Sequence, residues 1–196
     1  MADLAADNFN RANETPLSGV GNWTAGPGTW NNLDLNTNAI RTTGADGAAA
    51  YTAVSWPNDG YSEHIFPTFS AGSHDAGPAY RLSTLVQTAY VAVIVSNGDN
   101  DGIWSRVAGI WTQLSNPAGG IDADDIVRIE CEGTTIRMKI NGTVVSSVTD
   151  SAIASGSCGI YGSVTASASF TMDNWAGGDL AAAGGGEEEL ALLGVG

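Results

Sequence analysis

Between residues 121 and 150 apolar and polar side chains alternate with a period of two, and the breaks in that alternation fall on turn residues. Val127, Ile129 and Cys131 interleave with Arg128, Glu130 and Glu132, and beyond Gly133-Thr134 the alternation resumes with Ile136, Met138 and Ile140 against Arg137 and Lys139. A tight turn at Gly133-Thr134 sets Cys131 opposite Ile136, Ile129 opposite Met138 and Glu130 opposite Arg137. One face of this hairpin is then apolar throughout, and the other carries an opposite-charge pair. Asn141-Gly142 supplies the positive-φ residues for a second tight turn, which launches a third strand over residues 143–148. A sheet that is dry on one face requires a second layer over that face.

Residues 18–30, 48–56, 61–69, 79–95 and 102–114 read as further strand stretches, joined by connections rich in Gly, Ser, Thr, Asn and Ala, and no stretch carries the pattern of a long amphipathic helix. Pro57, Pro67, Pro78 and Pro117 are expected at strand ends or edges, where a missing N–H costs little. The rhythm predicts an all-β protein, a two-sheet antiparallel β-sandwich of jelly-roll form over residues 1–179, followed by an extension over 180–196. A chain of 196 residues is long enough for one sizeable core.

Charge narrows the partners. Seven Lys and Arg against 21 Asp and Glu give a net charge of −14, which repels phosphate backbones and anionic lipid. Nucleic acid is not expected as a partner. Residues 91–95 form the longest apolar run, too short for membrane insertion, and MADLAADNF has neither the basic nor the apolar region of a secretion signal.

Chemistry-bearing residues are few. Cys131 and Cys158 are expected as two buried free thiols. His64 and His74 stand ten apart without the spacing of a zinc helix, so no zinc or other resident cofactor is expected. Residues 97–102, with Asp99 and Asp101, have the oxygen density of a calcium loop but lack the closing Glu of an EF-hand; a plain polar turn is the reading adopted. No nucleophile elbow, phosphate loop or metalloprotease motif is present. Glu130 and Glu132 share a strand face about 7 Å apart, a separation glycosidase carboxylates use, yet Arg137 faces Glu130 and the pair reads as a solvated, ion-paired surface. No catalytic residue is expected.

The opening segment, with Asp7, Phe9, Asn10, Arg11, Leu17 and Trp23, and the closing one, with Asp124-Asp125, Gly133, Asn141-Gly142, Asp150, Gly159-Ile160 and Asp173-Asn174-Trp175, resemble concanavalin A-like and laminin-G-like jelly-roll domains. Such domains occur in phage virion proteins and bacterial surface proteins. The resemblance spans about residues 5–179 and implies a last strand returning beside the first. The Glu-x-Asp-x-x-Glu strand of related glycoside hydrolases is missing here, so what the resemblance implies is carbohydrate binding or particle assembly rather than catalysis.

The expected function is therefore a non-catalytic structural or adhesive protein at the virion surface, as a capsid decoration, head fibre or tail-fibre module. Its expected partners are other virion proteins, copies of itself and a host-surface glycan. The alternatives are a polysaccharide-acting glycoside hydrolase and a free bacterial lectin of the same fold. Tyr80, Arg81, Tyr90, Trp104, Arg106 and Trp111 form the expected glycan platform of rings and guanidinium groups, with Ala108-Gly109 as a turn that decides whether Trp104 and Trp111 share a face. Trp23, Trp30 and Trp175 are expected to cap the sandwich, and Asp7-Asn8 and Asp173-Asn174 to bond local backbone. After residue 180 an Ala/Gly linker leads to three glutamates and an apolar peptide, in which Leu190, Leu192, Leu193 and Val195 are expected to dock into a neighbouring subunit.

Overall fold

Alternation of period two converts into strands along most of the chain. The computed structural model describes residues 2–18, 21–42, 44–69, 74–95, 101–117, 121–164 and 170–180. Its strands are β1 (Ala2–Asp7), β2 (Trp23–Ala25), β3 (Leu33–Asn36), β4 (Ala39–Thr42), β5 (Gly47–Tyr51), β6 (Gly60–Phe69), β7 (His74–Leu82) and β8 (Ala89–Val95). They continue with β9 (Gly102–Val107), β10 (Ile110–Gln113), β11 (Ile126–Glu132), β12 (Thr135–Ile140), β13 (Thr143–Thr149), β14 (Ser157–Val164) and β15 (Phe170–Asp179).

Two antiparallel sheets face each other. The eight-stranded sheet has the order β13-β12-β11-β6-β15-β4-β3, with β1 also paired to β15, and the seven-stranded sheet has the order β10-β9-β8-β7-β14-β5-β2. The last strand returns beside the first, with Asp7 opposite Trp175 and Ala6 opposite Ala176. The hairpin register follows the alternation: Glu130 faces Arg137, Ile129 faces Met138 and Cys131 faces Ile136. Among the described residues no helix is long and apolar enough to cross a membrane.

The inner core between the sheets gathers Leu33, Leu35, Ile40, Phe66, Val127, Ile129, Ile136 and Met138 from one sheet and Ala76, Tyr80, Tyr90, Ala92, Ile94 and Ile160 from the other. One end is closed by aromatic rings. Trp23 lies 4.7 Å from Trp175 and 5.2 Å from Tyr51, and its Nε1 donates to Asp7 Oδ2 at 2.8 Å. Trp175 Nε1 donates to Ser62 Oγ at 3.0 Å. Asp7 and Asp173 also accept from the neighbouring backbone N–H groups of Phe9 and Asn174. Cys131 and Cys158 are both buried and free; burial pushes the Cys131 thiol up to about 12 and the Cys158 thiol up further.

Three features depart from the sequence reading. The β3–β4 hairpin was not expected; its turn is made by Thr37 and Asn38, both at positive φ, without a glycine to mark it. Pro78 lies inside β7, between β14 and β8, rather than at an edge. The β7–β8 ladder skips Gly77 and Pro78, and a Cβ on Gly77 would sit 1.8 Å from Ala92 O, so the interruption is built on a glycine-proline pair. Trp30 leaves the inner core altogether and joins a second apolar cluster on the outer face of the seven-stranded sheet.

Candidate functional site

The β9–β10 hairpin decides which aromatic residues meet. Ala108 and Gly109 both adopt positive φ, 49° and 88°, which makes a two-residue turn. Arg106 therefore pairs with Trp111 and Trp104 with Gln113, so these four side chains share one face of the sheet. Beneath them the floor is built of small residues, Ala48 and Ala50 from β5 and Ala79 from β7, beside Val91 and Val93 from β8. Small floor residues leave height for large rings, and Trp30, Trp104, Trp111 and Tyr161 occupy it.

Arg106 is the hub of the cluster. Its guanidinium carbon lies 4.9 Å from the Trp30 ring centre and 4.8 Å from that of Trp111, so the cation is held between two π faces. Arg106 Nη1 lies 2.8 Å from Asp46 Oδ1, an ion pair whose angle falls short of a hydrogen bond, and Nη2 donates to Gln87 Oε1 at 2.5 Å. Asp46 Oδ1 also accepts from Tyr161 OH at 3.1 Å and from Trp111 Nε1 at 3.4 Å. Gln87 Nε2 in turn donates to Thr29 O, which stitches the Trp30 segment to the β7–β8 loop.

Two properties set this cluster apart from ordinary packing. Trp30 and Arg106 are buried, but Trp104 and Trp111 remain partly open to solvent, with their rings 6.2 Å apart and nearly perpendicular at 88°. Three buried N–H donors beside these rings, Trp30 Nε1, Arg106 Nε and Gln113 Nε2, find no acceptor among the described residues. Unsatisfied buried donors cost about 1–3 kcal/mol each, and a native structure tolerates them where something else supplies the acceptor.

Carboxyl groups line the adjoining part of the same face. Asp75 is held above its ordinary range by burial first and then by the charges of Asp46 and Asp101. Burial also raises Asp101, against the pull of the Val95 N–H that donates to its Oδ1 at 2.6 Å. Among the described residues no group of three or more His, Cys, Asp or Glu side chains is placed to hold a metal ion. Asp99 lies outside the described residues.

The other three expected platform residues are elsewhere. Tyr80 and Tyr90 are fully buried on the inner face, where Tyr80 OH donates to Pro57 O at 2.9 Å and Tyr90 OH bonds Asp150 and accepts from Ile153 N. A ring enclosed between two sheets offers no face to a sugar. Arg81 is buried too. Its Nε, Nη1 and Nη2 donate to the carbonyls of Asn58, Ile153 and Gly133, with Asp59 at 3.3 Å, so it ties three loops together at one end of the sandwich. The apolar tail residues Leu190, Leu192, Leu193 and Val195 lie outside the described residues.

Glu130 is 2 % exposed rather than solvated as expected. Its partners are not its cross-strand neighbour: Lys139 Nζ, diagonal across the hairpin, lies at 2.6 Å and Arg128, two residues back on the same strand, at 3.5 Å, while Arg137 turns to Glu132 at 2.7 Å. Arg128 also binds Glu63 at 2.7 Å and lies 4.1 Å over the Tyr61 ring. Both glutamates are thus engaged by cations on the outer face of the eight-stranded sheet.

Sequence reasoning missed Trp30, Asp46, Asp75, Gln87, Gln113 and Tyr161 as members of the site. For Tyr161 a signal existed: a lone large ring in the strand segment Cys158-Gly159-Ile160-Tyr161-Gly162, where small neighbours imply space above them.

No family model matches the sequence, and no curated protein matches it. Similarity appears among solved structures. The carbohydrate-binding module CBM66 from Bacillus subtilis superposes with a TM-score of 0.63 at 17 % identity, covering 80 % of this chain and 94 % of that one. A Bacillus licheniformis beta-glucanase gives 0.56 at 13 % identity, covering 88 % and 96 %. SCLam, a non-specific endo-beta-1,3(4)-glucanase from family GH16, gives 0.52 at 10 % identity, covering 90 % of each chain. At these identities the likeness is one of fold: the chain shares the two-sheet antiparallel jelly-roll sandwich of these carbohydrate-binding and glucan-hydrolysing proteins.

Proposed function

We propose that this chain is a non-catalytic glycan-binding domain whose ligand lies on the outer face of the seven-stranded sheet, against Trp104 and Trp111. The observation that carries the reading is the pair of partly open tryptophan rings, 6.2 Å apart and nearly perpendicular, standing on a floor of small apolar residues on the outer face. The open ring faces of Trp104 and Trp111 stack on the C–H faces of a sugar. The adjoining Asp46, Asp75 and Asp101, together with a net charge of −14, disfavour anionic sugars, so the class favoured is a neutral polysaccharide. Sugar-binding and sugar-cleaving domains of the same architecture support this reading.

Titration calorimetry against a panel of neutral and acidic polysaccharides tests it. Trp104→Ala should weaken binding of the neutral ligand about tenfold or more, equivalent to about 1.4 kcal/mol for one lost stacking face. Unchanged affinity in a folded Trp104→Ala, Trp111→Ala double variant refutes the site.

A hydrolase reading has one specific observation in its favour: Asp75, raised by burial, shares a face with Asp46, which is paired to Arg106. Unlike carboxyl environments on one sugar-binding face are the arrangement glycosidases use for acid and base. New reducing ends released from a bound polysaccharide, and lost in Asp75→Asn, would establish it over the binding reading. The finer assignment to a phage particle rests on the sequence resemblance alone. Immunogold labelling of purified virions tests that placement.

A further inference from the structure

Asp46 stands immediately before β5, with φ of 53°. That left-handed backbone conformation suits aspartate, asparagine and glycine better than other residues. The main chain around it holds a neighbouring segment in place. Asn31 N donates to Asp46 O and Ala48 N donates to Asn31 O, both at 3.1 Å, so Asn31 bridges in parallel to Gly47 and brings the adjoining Trp30 with it.

The side chain of Asp46 gathers the rest of the cluster. Three side chains from three strands converge on its Oδ1: Arg106 Nη1 from β9 at 2.8 Å, Trp111 Nε1 from β10 at 3.4 Å and Tyr161 OH from β14 at 3.1 Å. In the sheet β5 and β10 are separated by β14, β7, β8 and β9, about 24 Å of flat sheet. The contact of Asp46 with Trp111 therefore arches over the small floor residues instead of joining neighbouring strands. Trp111 is held on its N–H edge by this carboxylate, on its π system by the Arg106 guanidinium at 4.8 Å, and by the Tyr161 ring at 5.1 Å. Those restraints set its tilt of 88° to Trp104. The guanidinium that Asp46 pairs also lies 4.9 Å from the Trp30 ring, so one carboxylate governs both rings that sandwich the cation.

We propose that Asp46 is the positioning residue of the ring platform, holding Trp111 directly and Trp30 through Arg106 in the orientation that the ligand meets. The role in binding rests on the glycan-binding reading above. A ring fixed before the ligand arrives needs no ordering on binding, and that saving appears as affinity. The effect resides in acceptance of the Trp111 N–H rather than in the charge of the carboxylate.

Two substitutions separate these. Asp46→Asn keeps an amide oxygen in the place of Oδ1, and Asp46→Gly keeps the left-handed backbone while removing every side-chain acceptor. Indole N–H exchange with solvent, followed by NMR on the full chain with Trp111→Phe to assign the resonance, reads the ring without any ligand. Titration calorimetry against the polysaccharide that binds the parent reads the affinity. In Asp46→Gly the Trp111 N–H should exchange about tenfold faster or more, and affinity should fall about fivefold or more; Asp46→Asn should stay within about twofold of the parent in both. Asp46→Ser, whose hydroxyl is too short to reach Trp111, replaces the glycine variant if that one does not fold. Unchanged N–H exchange in Asp46→Gly overturns the proposal, and so does faster exchange with unchanged affinity. Equal loss of affinity in Asp46→Asn and Asp46→Gly overturns it as well, by assigning the effect to charge. A parent that binds no polysaccharide refutes the glycan reading, whereas the exchange rates still decide whether Asp46 orders Trp111.

Discussion

His64 offers a sharp test of how well the inner core is sealed. It projects from β6 into the core opposite Val127, fully buried, with its ring 4.4 Å from that of Phe66. Neither ring nitrogen makes a well-aligned hydrogen bond among the described residues. Burial lowers the imidazole from 6.5 to about 3, with the backbone at Ile65 and Gly77 pulling weakly the other way. Below pH 6.5 the unfolded chain takes up a proton that the folded chain refuses until about pH 3. The unfolded state therefore binds more protons in that window, and stability falls as pH falls. Each pH unit below 6.5 costs about 1.4 kcal/mol, so pH 5 removes about 2 kcal/mol. His64→Leu deletes that loss. Asp75, Asp101 and Asp173, whose carboxyls are raised, act in the opposite direction but are common to both proteins, so the difference between them isolates His64. Urea unfolding at pH 7.5 and pH 5 should show the stability gap between His64→Leu and the parent widening by about 2 kcal/mol. A gap that stays constant within about 0.5 kcal/mol would show that water reaches the ring and would refute the sealed core.

Two further outcomes follow from the same geometry. Arg81→Met should destabilise by about 3 kcal/mol or more, because the carbonyls of Asn58, Gly133 and Ile153 lose their donor together; it should leave the affinity for a bound glycan unchanged, as titration calorimetry on the folded fraction will show. Both thiols should be silent towards a disulfide reagent in the native protein and react fully in denaturant, since burial holds Cys131 up to about 12 and Cys158 higher; native reactivity at neutral pH would contradict that.

The strands with strict alternation were legible because half-buried sheets impose a period of two. Residues 121–150 gave the three strands and the register that the structure shows. The single stretch 79–95 concealed two strands, because the loop at residues 83–88 carries Leu85 and Val86, apolar side chains that are both exposed. Within the expected platform, Trp104, Arg106 and Trp111 meet, while Tyr80, Arg81 and Tyr90 do not join them. Tyrosine and arginine read alike in sequence whether they line a ligand face or bond loop carbonyls from inside. Only the position of the second sheet separates the two cases, and that is a long-range fact. Glu130 misled for the same reason: Lys139, its closest partner, sits diagonally across the hairpin, outside simple pairing.

The two sheets differ in a way that bears on the proposed site. On the eight-stranded sheet the outer face carries Glu63, Arg128, Glu130, Glu132, Arg137 and Lys139 in mutual ion pairs, a surface already satisfied by its own charges. On the seven-stranded sheet the outer face is apolar at its floor, with Ala48, Ala50, Ala79 and Val91 buried. A sheet that is apolar on both faces needs cover on both. The inner face has the other sheet. The outer one has Trp30, Tyr161 and the Arg106 clamp, and beside them two partly open tryptophans and donors without acceptors. Self-packing thus accounts for the floor but leaves ring faces of Trp104 and Trp111 open at the rim, and the flat, polyhydroxylated ligand proposed above would supply a surface for them. The same reasoning says what must accompany Trp104→Ala: a loss of ligand affinity larger than the loss of stability, since a ring that serves only to cover the floor would cost stability first.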